Sequence, residues 1–281
     1  MRREPPSCGR AIEGDTRDMT RTRHTSDTRR PGAAKVFGAA VVALAAVGLC
    51  APSASAVRNG TDAPAGAAPY TVALYTADGE LLCGGTLVAP TKVLTAAHCA
   101  TAVDDPTGIT VVAGKVELTA PGGRTRKVTG ARVHSKFAQG TLTYDAAVLT
   151  LDRSLADPTL PIAGAEDGAL YTLGKSATVY GWGKRDGGVP TTRQQRTTLV
   201  LSPVASCEPY TFPGDTTATK VCGLPPAANP GTSICRGDSG GPLVAGGKLI
   251  GIVSSGNKYC DGAQPRSVFT RASAVAKDLG L

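Results

Sequence analysis

Three short segments hold side chains with chemistry in reach. Val93-Leu94-Thr95-Ala96-Ala97-His98-Cys99 carries a histidine, and Tyr144-Asp145-Ala146-Ala147-Val148-Leu149 an aspartate. Cys235-Arg236-Gly237-Asp238-Ser239-Gly240-Gly241-Pro242 sets a serine among glycines. Taken singly, each has a plain reading: a structural histidine, a turn aspartate, a serine in a loop. Together they suit nucleophilic attack on a carbonyl. A serine hydroxyl is too weakly acidic to attack alone, and histidine is the base whose titration lies near neutral pH. The base needs a buried carboxylate to fix its tautomer and stabilise the imidazolium. The oxyanion that develops needs backbone N–H groups aimed at it, and glycines beside the serine permit the tight turn that aims them.

The elements that must position these residues read as strands. Alternating or short apolar runs recur at 70–75, 81–88, 92–96, 110–113, 127–134, 146–151, 177–181, 195–201, 242–245 and 248–254. Asp78-Gly79 and Gly246-Gly247 stand between such runs as hairpin turns. Glycine, 35 of 281 residues, exceeds a usual share of roughly 7%, which fits a chain of many turns. The pattern predicts an all-β protein, a barrel or a sandwich. A short terminal helix is expected at 273–279. The stretch 156–174, rich in Pro, Gly and acidic residues, is the expected boundary between two halves, about 57–160 and 161–281.

Residues 1–56 read as a leader outside the fold. An uncharged apolar run at 36–49 follows Arg29, Arg30 and Lys35 and is itself followed by Ala54-Ser55-Ala56. That is a basic region, an apolar region and a small-residue cleavage site, and the run is too short to span a bilayer. The remaining chain is expected to be secreted and free of the membrane, with either Met1 or Met19 as the start and either general or twin-arginine export. Cys8 and Cys50 leave with the leader. Six cysteines stay: Cys83, Cys99, Cys207, Cys222, Cys235 and Cys260. An even number in an exported chain reads as three disulfides. Fifteen pairings are possible, of which sequence neighbours are the simplest: 83–99, 207–222 and 235–260. Zinc fits poorly, because no CxxC exists and only His98 and His134 remain. Residues 57–281 carry a net charge of +4, with no basic block interleaved with aromatics, which argues against nucleic acid as a partner.

TAAHC, DAAVLTL and GDSGGP, in that order, resemble the chymotrypsin/trypsin-like serine peptidases. Cys83-Gly84-Gly85-Thr86-Leu87 and Gly181-Trp182-Gly183 extend the resemblance, which covers residues 57–281. It implies two antiparallel Greek-key β-barrels with the active site in the cleft between them. His98 and Asp145 then come from the first barrel and Ser239 from the second. Ser239 is the implied nucleophile, His98 the general base and then acid, and Asp145 the residue that orients His98. The N–H groups of Gly237 and Ser239 are the implied oxyanion hole. Ser254 is implied to hydrogen-bond Asp145 and to pair with substrate through its backbone. The family's usual disulfides match the neighbour pairings.

The resemblance also bears on specificity. The residue six before the nucleophile sets the base of the S1 pocket, and here it is Ser233. Basic-specific members carry aspartate there, and a neutral serine does not offset the desolvation of a buried cation. Ile234 adds apolar wall, Gly256 leaves the mouth open, and Ser267 stands where many members have glycine. The expectation is an apolar P1 residue, Phe, Tyr or Leu. Arg236 reads as a rim residue facing acidic substrate or as a solvated arginine. Ser255 replaces a usual tryptophan, so the P2–P4 shelf is weaker. The region where some members bind calcium has one acid, Glu117, among Arg124, Arg126, Lys127 and Arg132, so neither metal nor cofactor is expected.

Relatives are made as zymogens, and a freed N-terminal Ile or Val pairs with the aspartate beside the nucleophile. Here the pair is Val57 and Asp238. Val57 directly follows Ala56, so signal peptidase alone is expected to release an active, monomeric enzyme that acts on proteins or peptides. Three rivals stand against this reading. One is an inactive binding module on the same fold. Another is a trypsin-like enzyme with basic specificity, which Ser233 disfavours. The last is an esterase of another fold, against which stands the lack of a G-x-S-x-G turn running into a helix at Ser239.

Overall fold

The computed structural model describes residues 57–185 and 188–281. The leader, its cleavage site, Cys8 and Cys50 lie outside the described residues. Among the described residues, no helix is long and apolar enough to cross a membrane.

A two-residue strand, β1 (Thr61–Asp62), precedes six strands that close on themselves. These are β2 (Thr71–Tyr75), β3 (Leu81–Ala89), β4 (Lys92–Thr95), β5 (Thr110–Ala113), β6 (Arg124–Val133) and β7 (Ala147–Leu151). Their order around the barrel is β2-β3-β4-β7-β6-β5, all antiparallel. Between β4 and β5 sits one helical turn, α1 (Ala97–Ala100).

The second barrel uses β8 (Ser176–Gly181), β9 (Gln195–Ser202), β10 (Lys220–Leu224), β11 (Pro242–Ala245), β12 (Lys248–Gly256) and β13 (Ser267–Arg271). They run β9-β10-β13-β12-β11-β8, and β8 closes on β9, while β1 adds to β9. The chain ends on α2 (Ala272–Val275).

Alternation in sequence becomes inside and outside. Along β9, Gln195, Thr197, Leu199 and Leu201 are buried while Arg196 and Thr198 are exposed, which is the two-residue period of a barrel wall. Leu74, Leu87, Leu94 and Leu149 fill the first barrel. Val179, Leu199, Leu243 and Phe269 fill the second. Leu249 and Ile252 of β12, with Ala272, Val275 and Leu279, join the first barrel's cluster. This apolar seam locks the barrels together and fixes the cleft between them.

The sequence pattern misses β1, β10 and β13 and starts β6 three residues late. β10 and β13 are short, and each is buried through both faces by its neighbours, so neither shows alternation. The terminal helix is one turn at Ala272–Val275 rather than the expected 273–279; the chain continues in turns to Gly280, whose φ of 74° ends the helical path. All three neighbour disulfides are present: Cys83–Cys99, Cys207–Cys222 and Cys235–Cys260.

Candidate active site

Each site residue is delivered by a loop at the barrel rims. β4 runs through Ala96 into α1, whose second residue is His98. The connection from β6 to β7 ends on Asp145. The connection from β10 to β11 carries Ser239. Across the cleft, Gly84 N–H of β3 donates to the Ser239 carbonyl at 2.7 Å, so the serine loop is tied to the opposite barrel.

Asp145 is wholly buried, and three donors converge on it. Its Oδ2 lies 2.8 Å from His98 Nδ1 and accepts the Ser254 hydroxyl at 2.7 Å. Its Oδ1 accepts the His98 backbone N–H at 2.8 Å. A buried carboxylate is tolerable only when its lone pairs are so occupied. The bond at Nδ1 leaves Nε2 as the ring's other nitrogen, 3.6 Å from the Cys99 sulfur, and the His98 side chain is 26% exposed. Such an arrangement suits a base that takes a proton at Nε2.

The serine turn is built for an anion. The N–H groups of Asp238, Gly240 and Gly241 donate to Cys235, Val253 and Asp238 carbonyls. Those of Gly237 and Ser239 donate to no acceptor among the described residues. Gly237 has φ of 98°, a conformation that side-chain-bearing residues rarely adopt. The two unused donors flank the serine, where an oxyanion would form.

Asp238 is fully buried beneath this turn. Its carboxylate accepts the Gly183 and Cys235 N–H groups, each at 2.9 Å. A Cβ on Gly181 or Gly183 would collide with it, which is why Trp182 is bracketed by glycines. Among the described residues no cation pairs with Asp238, and burial pushes its carboxyl up to about 7. Val57 is buried in the same barrel's core. Its segment is bonded to the wall behind the serine turn: Arg58 O accepts from Ser233 N–H at 3.2 Å and from the Thr232 hydroxyl at 2.7 Å.

A cavity of about 130 Å³ opens beside Ser239, walled by Ile234, Val253, Ser255 and Gly256 and rimmed by Arg236 and Lys258. A Cβ on Gly256 would come within 3.1 Å of Ile234 Cγ1 and 3.0 Å of the Arg266 carbonyl, so Ile234 and Gly256 are packed against each other. Ser233 and Ser267 are buried and do not line the cavity. Ser267 Oγ accepts the Ile234 N–H at 3.1 Å, whereas Ser233 Oγ has no partner among the described residues.

Cys83, His98 and Cys99 lie close enough for a metal, their donor atoms within 4.8 Å of one another. Both sulfurs are committed to a disulfide, so the thiolates a soft metal requires are missing. Sequence reasoning overlooked Lys220, a buried lysine beside this site. Its only signal is a cation heading the apolar run Val221-Cys222, which reads as an ordinary strand edge.

Residues 57–278 match the family model described as Trypsin. A Saccharopolyspora erythraea protein named trypsin is 36% identical over 219 residues, covering 78% of this chain and 94% of its own. A Phytophthora sojae protein named glucanase inhibitor protein 1 is 32% identical over 254 residues, covering 85% of this chain and 95% of its own. Among solved structures, human heparin binding protein superposes with a TM-score of 0.66 at 24% identity, over 78% of this chain and 92% of that one. The last likeness speaks to the fold alone.

Proposed function

Because the chain belongs to the Trypsin family of serine proteases, we propose that it is an active endopeptidase that cleaves after apolar residues through an acyl-enzyme. The observation that carries this reading is the Asp145–His98 pair, joined in one chain to a Ser239 turn whose Gly237 and Ser239 N–H groups are unused. Ser239 Oγ attacks the scissile carbonyl and passes its proton to His98 Nε2. Asp145 holds the ring and stabilises the imidazolium. The Gly237 and Ser239 N–H groups hold the oxyanion. His98 then protonates the leaving amine, and water repeats the sequence on the ester. One relative is named an inhibitor, so a binding role is the alternative, and the presence of His98, Asp145 and Ser239 together supports catalysis.

An apolar P1 residue fits the cavity. Ile234 and Val253 line it, together with the cations Arg236 and Lys258, and no acid does. A P1 arginine or lysine therefore meets like charge and no acid. The enzyme is taken to be secreted, with three disulfides suited to an oxidising compartment. Cleavage after Ala56 would free the Val57 α-amino group to pair with Asp238. Protein or peptide is the substrate, the enzyme works as a monomer, and neither metal nor cofactor is required. Matched peptide anilides with Leu, Phe or Arg at P1 test the specificity: faster cleavage after Leu or Phe is expected, and faster cleavage after Arg contradicts it.

A further inference from the structure

Lys220 opens β10 and is only 2% exposed, the bulkiest fully buried side chain among the described residues. Its Nζ donates to the Leu142 carbonyl at 2.6 Å. The bond runs from the second barrel to the loop of the first that leads into Asp145. That loop holds two non-glycine residues in the left-handed region, Leu142 at φ 51° and Tyr144 at φ 49°. Such residues keep this conformation only when their surroundings enforce it. Tyr144 O is fixed from within the loop by Ala146 N–H at 2.8 Å; Leu142 O is fixed from across the cleft by Lys220.

A buried ammonium is expensive unless paired. Burial draws Lys220 below the ordinary lysine range, while Asp215 and Asp145 oppose that fall. Asp215 faces it from the loop before β10, Asp145 from the loop before β7, and His98 stands behind Asp145. Lys136 and His134 lie against the Tyr144 ring. Arg271 of β13 is directed to the Thr217 carbonyl and the Tyr171 ring.

We propose that Lys220 is a positioning residue for the Asp145–His98 pair, anchoring the loop through Leu142 and placing a positive charge behind the carboxylate. The proposal rests on the peptidase reading of that site. A cation there disfavours protonation of His98, so its removal lets the ring keep its proton to higher pH. Lys220→Gln removes the charge and keeps a donor for the carbonyl; Lys220→Met removes both; Lys220→Arg keeps both.

The test follows the His98 ring by NMR against pH in the purified protein, with kcat/KM profiles recorded in parallel. In Lys220→Gln and Lys220→Met the titration midpoint and the acid limb should rise by about half a pH unit or more, because the charge that opposes protonation of the ring is gone. Lys220→Met should also lose about tenfold in kcat. Lys220→Arg should leave the midpoint in place. An unchanged midpoint in a folded neutral variant overturns the proposal. So does failure of both neutral variants to fold while the arginine variant folds, which would make Lys220 a folding residue. The ring titration needs no turnover. An inert wild-type protein would sink the peptidase reading, and the NMR midpoints would still decide the role of Lys220.

Discussion

Asp145 grips His98 twice: Oδ2 lies 2.8 Å from the ring Nδ1, and Oδ1 accepts the backbone N–H at 2.8 Å. The double contact fixes the rotation of the ring and its height in the cleft together, with Ser254 bonding the same carboxylate. Replacing Asp145 by the isosteric asparagine keeps the shape and reverses the hydrogen-bond logic at Nδ1. Asp145→Asn is expected to stay folded and to lose on the order of 10⁴ in kcat at neutral pH. Ser254→Ala removes one donor of three and should cost about 1.5–3 kcal/mol of stability, the usual worth of a bond to a charged group. Denaturant titration and steady-state kinetics check both.

The serine turn predicts a second effect. A Cβ on Gly237 would sit at φ 98° and 3.0 Å from Gly183 Cα. Gly237→Ala must shift the very N–H that would face the oxyanion. Loss of about 10²–10³ in kcat is expected, with KM nearly unchanged, as for removal of one such donor. Equal rates for the variant and the parent would remove Gly237 N–H from the mechanism.

Ile234 makes a third prediction. Its side chain lies against Gly256: a Cβ there would stand 3.1 Å from Ile234 Cγ1 and 3.2 Å from Cδ1. Ile234→Ala should enlarge the cavity and raise kcat/KM for P1 Phe and Tyr relative to Leu by about tenfold or more, since each buried methylene is worth about 0.8 kcal/mol. An unchanged ratio would place the specificity elsewhere.

These three predictions differ in how far the sequence alone supports them. The strands whose residues alternate, such as β9, and the glycine turns at Asp78-Gly79 and Gly246-Gly247 could be read directly. β10 and β13 could not, because buried on both sides they show no period. His98, Asp145 and Ser239 were found from motif chemistry, and the structure brings His98 onto Asp145. Ser233 is expected at the base of S1 and Ser267 beside it; both are buried, and neither is among the residues that line the cavity at Ser239. Which buried residues reach a cavity depends on the packing of distant segments, which a sequence does not encode locally. Lys220 stayed hidden for a similar reason: its partner, the Leu142 carbonyl, is 78 residues away.

Asp238 supplies a prediction on pH. With Val57 still joined to Ala56, burial holds the Asp238 carboxyl at about 7, above its unfolded value of 3.8. A raised folded value means stability that is full below pH 3.8 and lost as pH rises through about 7. A chain beginning at Val57 instead offers an α-ammonium, whose pairing raises its own titration above the free value of about 8. That form should keep its stability through neutrality and lose it, with activity, only as pH rises through the raised amine value. Tm against pH for chains starting at Val57 and at Ala56 separates the two curves. Superimposable curves, or full activity with one extra residue, would refute the pair.

The most direct test of the account asks whether Ser239 is a nucleophile that His98 activates. The purified protein is treated with a fluorophosphonate probe and the labelled peptide is identified by mass spectrometry. Labelling at Ser239, abolished in both Ser239→Ala and His98→Ala and matched by loss of peptide-anilide hydrolysis, is the predicted result. A folded wild-type protein that neither takes the probe at Ser239 nor cleaves any peptide in a diverse library would contradict it.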